Sequence, residues 1–159
     1  MAFATVGLSA SALAGTAQVT FVNPENFTDI GRYAPSRDSE ENQTAIARHI
    51  ALLAERRLPP DQTVDIEVLD VQLAGRLEYR DVWPREVRVI LPVTWPSIKL
   101  RYRLKQGEQV LASGEEFVSD MEYLHRVNAY PTSDPRRYEK LMLDDWFEHR
   151  LVERQPPLR

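Results

Sequence analysis

IKLRYRL (98–104) places Ile98, Leu100, Tyr102 and Leu104 on one side of a strand and Lys99, Arg101 and Arg103 on the other. Successive strand side chains point to opposite faces. Alternation this regular marks a sheet with one face on a core and one in water, which is the habit of antiparallel sheets. KQGE then turns the chain into QVLASGEEFV (109–118), the predicted hairpin partner. Upstream, REVRVIL (85–91) reads as a further strand, joined to 98–104 by PVTWPS. In TVDIEVLDVQLAG (63–75), Val64, Ile66 and Val68 alternate with Asp65 and Glu67, and then Leu69, Val71 and Leu73 take over as the apolar set. A slip of one residue exchanges the two faces, so a bulge is predicted near Val68-Leu69.

Outward from this sheet lie two helical patterns. Ile46, Ile50 and Leu53 share a face, with Ala47 and Ala54 beside them; Asp38 and Glu41 fit a capping box, and Pro59-Pro60 ends the helix after Leu58. Near the other end, Asp134 is positioned to cap a helix that has Pro135 at its first position and runs to about Arg154. On that helix Tyr138, Met142, Leu143 and Trp146 form an apolar arc with Phe147 at its edge, while Lys140, Asp144 and Glu148 point to water. AQVTFV (17–22) is a first strand, residues 23–38 form a long loop, and Ser119-x-x-Glu122 predicts a short helix from Asp120. The order β-α-β-β-β-β-α predicts an α+β fold: an antiparallel sheet of four to five strands with two main helices packed on one face.

The chain of 159 residues fits a single domain, here residues 15–155 with a frayed tail at 156–159. Hydrophobic residues make up 43% and charged residues 28%, a balance that excludes intrinsic disorder. The net charge of −4 argues against nucleic-acid and anionic-membrane partners. The absence of cysteine removes disulfides, thiolate chemistry and a lipidated N-terminal cysteine. Residues 1–24 carry no charged side chain, and Ala12-Leu13-Ala14 fits the small-x-small rule for signal peptidase. Residues 1–14 are therefore read as a signal peptide lacking its basic start, cleaved near Ala14, which predicts a soluble periplasmic protein. No apolar run approaches the roughly 20 residues of a membrane span.

Candidate site residues fall into two sets. Trp83 and Trp95 each precede a proline that opens a strand, and with Phe27 and Tyr33 of the 23–38 loop they outline a surface suited to an envelope protein, a glycan or a small ligand. Lys99, Arg101 and Arg103 add a basic stripe, for which Asp65 and Glu67 are ordinary cross-strand partners. The second set is Asp145 with His149, four apart, and Glu122 with His125, three apart; these are spacings at which helical side chains meet. They are the residues a metal-dependent or acid/base hydrolase would use, although di-metal bundles carry the Glu-x-x-His motif twice and this chain carries it once. Asp144 and Asp145, adjacent on a helix, diverge by about 100° and cannot face each other as a carboxylate pair. No P-loop, GxSxG, HExxH or Rossmann motif occurs, and neither a cofactor nor a metal is expected.

VTFVNPENFTDIGR, LPPDQ, IEVLDVQLAGR, the Trp95-Pro96 strand ending in LRYRL, SGEEFVSDMEYL and YEKLMLDDWF together resemble the proteobacterial domain of unknown function 3016, over about residues 17–151. The resemblance implies an exported protein without an established activity and supplies no active site to carry over. The chain departs from that pattern at Gln72, where a second acidic residue is usual, which puts in doubt any cation site built on Asp70. The element order is also similar to small envelope-assembly lipoproteins of Gram-negative bacteria, a likeness of fold that does not fix function. The sequence thus points to a non-catalytic envelope binding module, with the hydrolase as the alternative.

Overall fold

The computed structural model describes residues 14–31, 36–82 and 85–157. Strand β1 (Thr16–Phe21) leads through a 3-10 turn at Pro24–Asn26 to helix α1 (Arg37–Arg57). Strands β2 (Gln62–Gln72), β3 (Arg76–Arg80), β4 (Arg85–Val89), β5 (Ser97–Gln106) and β6 (Gln109–Ser119) follow. Helix α2 (Arg137–Phe147) continues into a π turn at Glu148–Val152.

The main sheet has the order β1-β2-β5-β6. β2, β5 and β6 pair antiparallel, and β5 and β6 form the expected hairpin. β1, however, pairs with β2 in parallel, from Thr16 opposite Thr63 to Phe21 opposite Val68, so the sheet is mixed and not fully antiparallel. The cause is the connection: α1 carries the chain back along the sheet, so β2 sets out in the direction β1 took. Alternation reveals that a strand has two unlike faces, but it carries no information on direction.

A second departure concerns residues 85–91. Arg85–Val89 is a strand, but it pairs with Arg76–Arg80 in a separate two-stranded sheet. The segment RLEYR offers only Leu77 and Tyr79 as strand formers, too weak a signal to be read ahead of the fold. Gly75 makes the turn into this hairpin at φ 79°, and a Cβ there would lie 2.4 Å from the Val89 carbonyl oxygen. Gly75→Ala is expected to cost about 1–3 kcal/mol, the usual range for forced left-handed backbone. A shift in the denaturant midpoint measures it, and a variant as stable as the parent would remove the constraint.

The bulge lies where the phase slips: the β2–β5 register shifts between Val68 and Asp70. One extra residue lets Val64, Ile66 and Val68 and then Val71 and Leu73 all reach the same core. It also turns Asp70 toward the 23–31 segment, where its carboxylate accepts the Thr28 N–H (2.7 Å) and the Thr28 hydroxyl (2.6 Å). Asp70 thus fastens a loop.

Both helices cover one face of the sheet. α1 contributes Ile46, Ile50 and Ala54, spaced four apart, and α2 with its π turn contributes Met142, Leu143, Trp146, Phe147 and Leu151. Phe147, expected at the edge of the apolar arc, lies in the core at 1% exposure. α1 is capped by the Ser36 hydroxyl, which accepts the Ser39 N–H at 3.2 Å, rather than by Asp38; Asp38 instead places negative charge in the first turn, where the helix dipole favours it. The short helix expected from Asp120 is a set of turns over 121–125, because the Asp120 carboxylate takes the Glu122 N–H. Asp134 accepts the Arg136 N–H, yet α2 itself starts at Arg137, after a turn holding Pro135 and Arg136.

The opposite face of the main sheet is open and charged. Arg101 bridges Glu67 (2.7 Å) and Glu115 (3.1 Å), Lys99 reaches Glu115 (3.4 Å), and Lys105 takes Asp65 (2.7 Å). Among the described residues no helix is long and apolar enough to cross a membrane.

Candidate binding groove

β6 is an edge strand, and a groove of about 620 Å³ runs beside it. Five consecutive residues of β6, Glu115 to Ser119, line one wall, and Asp120, Met121 and Glu122 continue it. Consecutive strand residues alternate between faces, so a groove that touches all of them lies along the strand's hydrogen-bonding edge. The other wall is α2 and its π turn, through Met142, Asp145, Trp146, His149 and Arg150. π turns are rare and occur mostly as short insertions at functional sites; here the Glu153 N–H closes onto the Glu148 carbonyl at 2.9 Å.

The floor is a hydrogen-bonded set around Glu116. Its carboxylate accepts the Trp146 indole N–H (2.9 Å) and the Arg150 Nε–H (2.7 Å), and Arg150 also donates to the Tyr102 hydroxyl (2.7 Å). Burial opposes ionisation of Glu116, but the hydrogen bonds from Arg150 and Trp146 outweigh it and hold the carboxyl below the usual range. Burial, followed by the charge of Glu116, pushes the Tyr102 hydroxyl up. The set is therefore a fixed anion–cation pair, with Tyr102 and Trp146 packed edge to face at 5.7 Å.

At the mouth Arg126 joins two elements. It bonds Asp120 at 2.8 Å and makes a short contact with Asp145, and the Asp145 carboxylate is the main reason its guanidinium pKa is raised. His149 Nε2 lies 2.8 Å from the Pro156 carbonyl oxygen, which ties the 153–157 segment to the π turn. Phe117 and Met121 stand out at 67% and 62% exposure.

The structure brings Glu122, Asp145 and His149 to this one groove. It does not pair Asp145 with His149, since each is bonded elsewhere. His125 bonds Glu122 at 3.2 Å on an exposed turn. Among the described residues, no group of three or more His, Asp or Glu is placed to hold a metal ion. Of the other candidates, Phe27 is buried against the core, 6.4 Å from the Phe21 ring, so it offers no outer surface. Trp95 is half-buried, and Trp83 and Tyr33 lie outside the described residues. Lys99 and Arg101 are spent on the ion pairs of the open face, and Arg103 lines a shallow hollow there with Asp65 and Ser113.

Three polar residues escaped the sequence reading. Asp144, expected in water, accepts the Tyr130 hydroxyl at 2.6 Å and lies 2.7 Å from Nε2 of buried His49, clasping α2 to α1. Burial and the Asp144 bond push the Tyr130 hydroxyl well up. Glu139 is buried at 1% exposure and accepts the Ala74 N–H at 2.7 Å. Glu116 faces the helices. The last two carried a usable signal: Glu116 shares the parity of Ala112 and Val118, and Glu139 lies three and four residues before Met142 and Leu143, so both carboxylates occupy core-facing positions.

No curated protein and no solved structure matches the chain. The family described as Protein of unknown function (DUF3016) matches residues 15–149, and the chain belongs to that family.

Proposed function

We propose that this protein is a non-catalytic binding module of the bacterial envelope, exported to the periplasm after cleavage near Ala14, and that it holds its partner along the β6 edge. The observation that carries this reading is the groove itself: a strand edge that no other strand pairs among the described residues, beside a helix, with exposed Phe117 and Met121 at its rim. The carboxylates of its inner part support binding over catalysis. Glu116 is paired with Arg150, and Asp120 and Asp145 share Arg126, so a general base drawn from these three would first have to leave an ion pair. Of an envelope protein, a glycan and a small ligand, a strand edge suits a protein.

The test is a photo-crosslinking residue placed at Met121, with a control at Glu108 in the exposed β5–β6 turn. In cells, a discrete adduct from position 121 and none from 108 is expected, on a chain whose N-terminus is Gly15. Equal adducts from both positions, or none from either, would sink the binding reading, and an uncleaved chain would sink export.

A hydrolase using Glu122, Asp145 and His149 is the second reading, favoured by their sharing one groove. It requires Asp145 to leave Arg126. Turnover of a chromogenic ester by the purified protein, lost in Asp145→Asn, would favour it.

A further inference from the structure

The binding reading leaves open what kind of chain the groove takes, and its chemistry answers. The lining contains five carboxylates, Glu115, Glu116, Asp120, Glu122 and Asp145, against the guanidinium groups of Arg126 and Arg150 and the imidazole of His149. Glu116 is offset by Arg150 and Glu115 by Arg101 and Lys99, which leaves Asp120, Asp145 and Glu122 against the one guanidinium of Arg126. The groove therefore keeps a negative excess, with two large apolar side chains, Phe117 and Met121, beside it. Resting on that reading, we infer that the β6 edge takes an extended, basic segment of another protein, which adds as a further strand outside β6 and alternates cationic with apolar side chains.

Each part of the inference has a separate cause. An edge strand presents N–H and C=O groups that a further strand can satisfy, which supplies affinity independent of sequence. The added strand would send alternate side chains to the two faces. The cationic set meets the α2 wall, where Asp145 stands near Trp146, and the apolar set meets exposed Phe117 on the open side. Residues 115–119 span about 17 Å, enough for a segment of some five residues. A second copy of this chain is the wrong occupant: two-fold pairing of β6 with β6 brings two copies of the same acid-rich groove together and adds no cation to either.

The probe is a synthetic peptide of about nine residues alternating Lys and Val, titrated against the full mature protein by fluorescence anisotropy. Controls are the Glu/Val counterpart and two forms of the Lys/Val peptide N-methylated on one or the other alternate set of amides. The expected result is saturable binding of Lys/Val that weakens with salt, since exposed charge pairs are screened. One N-methylated form is expected to bind at least about tenfold more weakly than the other, because only one set of amides faces β6. Phe117→Lys, at an exposed position, is expected to weaken binding by a similar factor, and its unchanged thermal melt would show that the fold is intact.

Equal binding of both N-methylated forms would overturn strand addition, and equal binding of Glu/Val would overturn the charge assignment. Dimerisation through the groove, seen by sedimentation and abolished by Phe117→Lys, would replace the basic segment with a second copy. Failure of every peptide while the adduct at position 121 persists in cells would overturn this inference alone; loss of that adduct would remove the binding reading as well.

Discussion

Trp146→Ala is expected to lower the free energy of unfolding by about 3–5 kcal/mol, the range found when a buried aromatic side chain is truncated. Trp146 is 5% exposed, packs edge to face against Tyr102 and Phe147, and joins α2 to β6 through its indole N–H. Removing it opens a cavity and takes a donor from Glu116, and a buried acceptor that loses a partner adds its own cost. Trp146→Phe keeps an aromatic ring while losing the N–H and part of the indole's bulk; a smaller loss of about 1–3 kcal/mol is expected. Urea denaturation of the three proteins provides the comparison. A Phe variant as unstable as the Ala variant would mean that burial of a six-membered ring contributes nothing to this corner.

Glu139 gives the second large effect. Its side chain is enclosed beside Arg136, one oxygen accepts the Ala74 N–H, and the other is buried with no hydrogen-bond partner among the described residues. Burial raises its pKa, with the nearby Arg136 opposing the shift, and burial in turn lowers that of Arg136. Glu139→Ala would leave the Ala74 N–H unsatisfied and the Arg136 charge less compensated, and a loss of about 3–5 kcal/mol is expected, as for a broken buried pair. Glu139→Gln keeps an acceptor for Ala74 and should cost less.

The raised pKa also sets a direction with pH. The folded protein binds the Glu139 proton more tightly than the unfolded chain does. That contribution is complete below the ordinary carboxyl value of 4.5 and is lost as pH rises through the folded value. The stability of the parent relative to Glu139→Gln should therefore decline over the interval that begins near pH 4.5 and runs upward through the folded value. Thermal melts of both proteins across that interval measure it. A constant offset would show that Glu139 titrates alike in the folded and unfolded chains.

These two residues illustrate what the sequence discloses. Periodicity located β2, β5 and β6, predicted the bulge beside Leu69, and placed Met142, Leu143 and Trp146 inward, because burial on one face imposes a pattern on neighbouring residues. It does not disclose direction, so it predicts an antiparallel sheet where the sheet is mixed, nor does it disclose β3, whose alternation is too short. Polar partners were the least legible. His49 and Asp144 stand 95 residues apart, and Ala74 and Glu139 stand 65 apart. A helical wheel shows which way a carboxylate points but not what approaches it. Asp145 and His149 are the converse case: their spacing permits contact, and stronger partners, Arg126 and the Pro156 carbonyl, took each away.

The parallel seating of β1 has a consequence for how the molecule comes apart. Among the described residues β1 hydrogen-bonds only to β2 within its sheet, whereas β2 and β5 are each flanked on both sides. Thermal agitation can therefore peel β1 away while the three remaining strands stay zipped. Amide protons of residues 16–21 should then exchange with solvent sooner than those of β5, through a partial opening that never reaches the centre.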